Sequence, residues 1–109
     1  MISISLALIL LVNISAAVRA DDPDAKGIVL LAEGRYREAA ALFDRSLRRN
    51  RDNPQAYANR CTARYKLQDW EGAISDFEAA VRLRPKLKAS LAPAMSDAYY
   101  RRARYRIDH

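Results

Sequence analysis

The chain repeats itself. Tyr36–Phe43 (YREAAALF) overlays Trp70–Phe77 (WEGAISDF) at an offset of 34 residues. In that register Tyr36 falls on Trp70, Ala39 on Ala73, Phe43 on Phe77, Ser46 on Ala80, Leu47 on Val81, and small Gly27 on small Cys61. Matches that stay in phase this far identify a duplicated unit. A unit of this length cannot bury its apolar face alone, so it must stack on its neighbour.

The punctuation inside the period is helical. Asn53-Pro54 reads as an N-cap followed by Pro at the first helical position, and Asp22-Pro23 repeats the device upstream. From Pro54, the residues Tyr57, Cys61, Tyr65 and Leu67 form a helical stripe that stops near Gln68-Asp69. A second helix starts at Trp70, carries Ala73, Ile74, Phe77, Ala80 and Val81 on one face, and ends before Pro85. The connections Glu33-Gly34-Arg35 and Gln68-Asp69 are short, which makes paired helices antiparallel. Dense Ala, Leu, Arg and Glu with almost no Thr or Val supports an all-α fold. The spacing predicts one repeat over about residues 22–51, a second over about 53–85, and a C-terminal capping helix over about 87–106. Leu87, Leu91, Met95, Ala98, Tyr99, Arg102 and Tyr105 form the stripe of that last helix, with Pro93 in its first turns. A truncated third repeat is the competing description.

Asn53–Pro85 resembles a tetratricopeptide repeat in its early aromatic Tyr57, small Cys61, Ala73, aromatic Phe77, Ala80 and closing Pro85. Asp69–Ile74 (DWEGAI) is similar to the family's turn into its second helix. Small side chains at Cys61, Ala73 and Ala80 let paired helices approach, while Tyr57, Trp70 and Phe77 fill the wider gaps. Two residues depart from the pattern: Arg60 stands where Leu is usual, and Arg64 takes an aromatic site. The first unit is degenerate, keeping Gly27, Ala39 and Phe43 but lacking the early aromatic and the closing Pro.

The resemblance covers Pro23 to Pro85. It implies a right-handed solenoid fragment that acts as a non-enzymatic interaction module or adaptor. It further implies a concave groove, lined by the first helix of each pair, that takes a peptide or protein. Ile28, Leu31, Asn59, Thr62, Tyr65 and Lys66 are the groove residues on this reading. Chaperone-binding members carry a dicarboxylate clamp of Lys, Asn and Arg. Here only Asn59 matches it, with Asp24, Ile28, Ala89 and Pro93 at the other sites, so that clamp is missing. Asn59 can equally serve backbone groups of the neighbouring unit.

Residues 1–20 differ from the rest. Ile4–Val12 is nearly unbroken aliphatic, Ser15-Ala16-Ala17 follows, and Val18-Arg19-Ala20 fits a small-residue cleavage pattern. This predicts a secretory leader removed before Asp21, and thus an exported, bacterial periplasmic or secreted domain over 21–109. The alternative is an uncleaved N-terminal anchor, and the apolar run is short against the ~20 residues of a bilayer span.

Catalytic and metal chemistry find little support. One Cys and one terminal His cannot build a zinc site or an internal disulfide framework. Cys61 occupies a helix-contact position and reads as packing, with an intermolecular disulfide as the alternative. Asp21, Asp22 and Asp24 could suggest calcium, but at a helix start they read as cap and dipole partners. No cofactor is expected.

Charge is uneven. Residues 21–34 carry four acidic groups against Lys26, whereas 35–51 hold six Arg against Glu38 and Asp44. Residues 86–109 add six cations against Asp97 and Asp108. Beside a solvated outer face, this allows contact with an acidic protein, anionic lipid or envelope polymer. Nucleic acid is a poor partner despite the interleaved Tyr and Arg of 99–106, because no binding motif frames them. A small homo-oligomer using Cys61 or the end helix is a further reading.

Overall fold

The computed structural model describes residues 22–109, which form five helices: α1 (Pro23–Ala32), α2 (Tyr36–Arg49), α3 (Pro54–Lys66), α4 (Trp70–Leu83) and α5 (Leu87–Asp108). The expected leader, residues 1–20, lies outside the described residues, as does Asp21. Cap chemistry sets the boundaries. The Asp22 carboxylate accepts the Asp24 N–H at 3.0 Å, Asn53 Oδ1 accepts that of Ala56 at 3.1 Å, and Asp69 that of Gly72 at 3.0 Å. Pro23 and Pro54 follow their caps as expected, and Asp22 serves as the cap of α1. The last helix runs two residues past the expected end, and Pro93 lies within its first two turns, as expected. The helix carries through the missing donor.

The two hairpin turns are the same turn. Gly34 N–H donates to Leu31 O at 3.0 Å and Arg35 N–H to Leu30 O at 2.8 Å. One period later Gln68 N–H donates to Tyr65 O at 3.0 Å and Asp69 N–H to Arg64 O at 2.9 Å. This bonding requires a left-handed residue after the helix, and Gly34 provides it at φ 77°. Gln68 takes the same conformation at φ 64°, where a Cβ is costly.

Successive helices pack on one another, and the first helices of the units also touch, α1 on α3 and α3 on α5. The buried apolar residues are mostly alanine, with Phe43, Leu47, Cys61, Ile74 and Met95 among them. Gly27 is small for a specific reason: a Cβ there would lie 2.5 Å from Cε1 of the fully buried Phe43 ring. Cys61, one period on, lies in a core cluster with Ala73, Ile74, Met95 and Ala98, which Tyr65, Trp70, Phe77 and Leu91 surround. Met95, a further period on, places its Sδ 3.6 Å from Cys61 Sγ. Helix α5 therefore stands where the first helix of a third repeat would stand. Its stripe is buried only as far as Ala98; Tyr105 and Ile107 are exposed.

Arg60 and Arg64, the two departures from the repeat pattern, share one partner. Asp76 on α4 is 1% exposed and accepts Arg60 Nη2 at 2.7 Å, Arg60 Nε at 3.0 Å and Arg64 Nη1 at 3.0 Å. Arg60 Nη1 reaches across to Asp44 on α2 at 2.7 Å. Burial works against the charge on Arg60, but the bonds from Asp76 and Asp44 outweigh it and hold its pKa above the ordinary value. One period earlier, Leu30 and Leu42 stand at the positions of Arg64 and Asp76. The second unit thus replaces an apolar pair with an ionic one.

Two outcomes follow. Gln68→Gly should raise stability by about 0.5–1 kcal/mol in urea denaturation, because it relieves the left-handed strain without touching a contact. Asp76→Ala should lower it by about 2–3 kcal/mol, less than for a wholly buried pair because both arginines reach solvent. Leu at 60, 64 and 76 together should cost less than about 1 kcal/mol. A triple variant as unstable as Asp76→Ala alone would show that the charges themselves are required.

Candidate functional site

The end of α3, the second hairpin turn and the middle of α5 enclose a cleft of about 200 Å³ lined by Tyr65, Lys66, Gln68, Trp70, Asp97 and Arg101. Its geometry is held from three sides. The Tyr65 hydroxyl donates to Asp97 Oδ2 at 2.7 Å, and Arg101 Nε donates to the same oxygen at 2.9 Å. The Trp70 ring meets Tyr65 edge-on at 5.6 Å between centroids, and the Arg101 guanidinium lies 5.5 Å from the Trp70 centroid. These contacts tie α5 to α3 as well as shaping the cleft. A second hollow of about 470 Å³ continues past Trp70 and Gln68 to Glu71, Arg102, Tyr105 and Arg106. There Glu71 pairs with Arg106 at 2.7 Å and with Arg102 at 3.7 Å.

The site's electrostatics follow from these bonds. Hydrogen bonds from Tyr65 and Arg101 hold the Asp97 carboxyl below its ordinary value of 3.8. The same Asp97 bond, with some burial, pushes the Tyr65 phenol above its ordinary 10.0. The cleft thus offers an exposed ammonium at Lys66, an aromatic wall and a carboxylate already engaged. It can hold a group; it presents no free nucleophile. The Cys61 thiol is fully buried, and desolvation, with Asp76 adding, pushes it up to about 12. Such a thiol packs rather than reacts.

Of the six expected groove residues, the cleft brings together Tyr65 and Lys66. Thr62, one turn earlier, is exposed and donates its hydroxyl to Ala58 O at 3.1 Å. Asn59 accepts from Gln55 Nε2 at 3.1 Å, a bond within its own helix rather than to the neighbouring unit. Ile28 is 51% exposed and Leu31 half-buried on α1, which contributes nothing to the cleft lining. Trp70, Asp97 and Arg101 were not among the expected site residues. The signal for two of them was available: Asp97 and Arg101 are an i, i+4 pair, and the 34-residue frame carried through Met95 sets α5 beside Tyr65.

Comparison with known proteins agrees with the helical-repeat fold. The sequence profile described as tetratricopeptide repeat matches residues 25–88, more than half of the chain. The chain belongs to the tetratricopeptide repeat family. It is similar to the TPR repeat-containing thioredoxin TTL4 of Arabidopsis thaliana, 32% identical over 66 residues, or 61% of this chain and 10% of that protein. It is also similar to the inactive TPR repeat-containing thioredoxin TTL3 of the same plant, 33% identical over 80 residues, or 72% of this chain and 11% of that protein. This tetratricopeptide repeat chain spans about a tenth of either relative. No solved structure gives a significant match. Repeats of this family are generally protein–protein interaction modules and typically non-catalytic.

The depressed Asp97 fixes a pH dependence. Its folded-state pKa lies below the unfolded value, so its contribution to docking α5 is full above the ordinary carboxylate range and is lost as pH falls through the folded pKa. Fluorescence of Trp70, the single Trp, should therefore show an acid transition centred below 3.8, and Asp97→Asn should remove it.

Proposed function

We propose that this chain is a non-enzymatic adaptor whose receiving surface is the cleft between α3 and α5, and that its ligand is a short segment of a protein partner. The observation that carries this reading is the convergence of Tyr65, Lys66, Trp70 and Arg101 around an open hollow with the aromatic edge already oriented. A pre-oriented aromatic wall binds without further loss of rotamer freedom, which is where interaction surfaces gain affinity. Lys66 beside it supplies charge that an acidic or carbonyl-rich segment can meet. Such a ligand is held, not transformed, since the side chains of the cleft are positioned by mutual hydrogen bonds rather than poised for proton or group transfer. The remaining expected residues, Ile28, Leu31, Asn59 and Thr62, belong to a longer groove only if the ligand extends from the cleft along α3 toward α1.

Selection of peptides from a random displayed library on the full chain tests the site. The expected binders share a consensus and shift Trp70 emission. Lys66→Glu, an exposed change that leaves the packing intact, should weaken them about tenfold, and Tyr65→Ala at least as much. Ile28→Ser with Asn59→Ala should leave the affinity of a short binder unchanged. Binders that ignore Lys66→Glu and respond to the α1 change would move the site to the other end of the molecule.

A further inference from the structure

The arginines between Arg35 and Arg51 are not equivalent in the structure. Arg35 is held by Glu38 at 2.6 and 3.0 Å, whereas Arg48 and Arg51 make no ion pair among the described residues. Both line a cleft of about 500 Å³ between the second half of α2 and helix α3, with Asp44, Leu47, Tyr57, Arg60 and Arg64. It shares no lining residue with the Tyr65–Trp70 cleft.

This cleft has a fixed side and a free side. Arg60 and Arg64 are locked on Asp76, with side chains 17% and 26% exposed, so their guanidinium planes are oriented before any ligand arrives. Arg48 and Arg51 stand exposed and unpaired opposite them. Arg60 and Arg64 are engaged by Asp44, the buried Asp76 and Asp69. That leaves Arg48 and Arg51 as the guanidinium groups of the cleft without a carboxylate partner among the described residues. A phosphoryl dianion can offer oxygens to both at once and suits the forked donors of arginine. The cleft is open to solvent and has more room than a bare oxyanion fills. The Tyr57 ring, 5.8 Å from the Arg60 guanidinium carbon, and buried Leu47 supply an apolar floor for the remainder.

We propose that this cleft is a binding site for a phosphoryl dianion carried on an apolar or aromatic body, with the phosphoryl group between Arg48 and Arg51 and the body over Tyr57 and Leu47. It stands independently of the adaptor reading.

NMR titration of the full chain with phenyl phosphate, inorganic phosphate and benzoate, at constant ionic strength, tests it. Phenyl phosphate should give saturable shifts at Leu47, Arg48, Arg51 and Tyr57, and bind about fivefold or more tighter than either simpler anion. Its affinity should fall below pH ~6, where the second phosphoryl proton returns. Arg48→Glu with Arg51→Glu, both exposed, should weaken it by about tenfold or more while Trp70 emission is unchanged. Shifts that rise linearly without saturating, three anions of equal affinity, or a double variant that titrates like the parent would each overturn the proposal. The same titration carried out with a phosphotyrosine peptide and with free phenyl phosphate separates the sources of the group: tighter binding of the peptide assigns it to a protein partner, and equal binding to a small molecule.

Discussion

How closely two helices approach is decided by the smallest side chain between them, and in this protein that position recurs every 34 residues. Gly27 lies under the Phe43 ring with no room for a methyl group, and Cys61 occupies the equivalent place in the second unit. Met95 occupies it again on α5, in sulfur contact with Cys61. The series grows in size along the chain, from no side chain to a thiol to a thioether. At Met95 a long flexible side chain fills the contact. Alanines at 39, 73 and 80 do the same work on the second helices, all of them fully buried. The placement of α5 rests on this spacing.

The ionic cluster in the second unit shows how such an array tolerates a departure from an apolar pattern. An arginine at a helix contact is costly unless its donors are met, and Asp76 meets two arginines with three bonds while Asp44, in the preceding unit, accepts a fourth. The cluster therefore joins three helices, α2, α3 and α4. Leucines stand at the positions of Arg64 and Asp76 in the first unit. The bidentate Arg60–Asp76 contact fixes the geometry within the second unit, and the single Arg60–Asp44 bond ties that unit to the first.

Both clefts are products of that rigid frame. The Tyr65–Trp70 cleft exists because α5 lies against α3 through Asp97, so the contact that docks α5 also makes the site. The Arg48–Arg51 cleft lies against the wall that Asp76 has already ordered. Most of their lining lies on helices, with Gln68 of the second hairpin turn and Arg51 of the α2–α3 connection added. Side chains on helices whose neighbours are fixed are better placed to bind without a loss of order than side chains on mobile connections.

The amino-acid sequence alone determined the local structure. Asp22-Pro23, Asn53-Pro54 and Asp69-Trp70 set helix starts because capping needs only a short polar side chain next to a free N–H, and the repeat set which faces pack because helical spacing is a property of the chain itself. The expected Tyr65 and Lys66 were found in a cleft because they share a turn of one helix. What only the tertiary structure decided was how the charges paired and which side chains met across units. Arg60 and Arg64 read as irregularities until Asp76 lay between them, and Asp97 read as one acid on a basic helix until it reached Tyr65, 32 residues away. Ionic and hydrogen-bonded partners are chosen by distance in space, and a sequence records distance only along the chain.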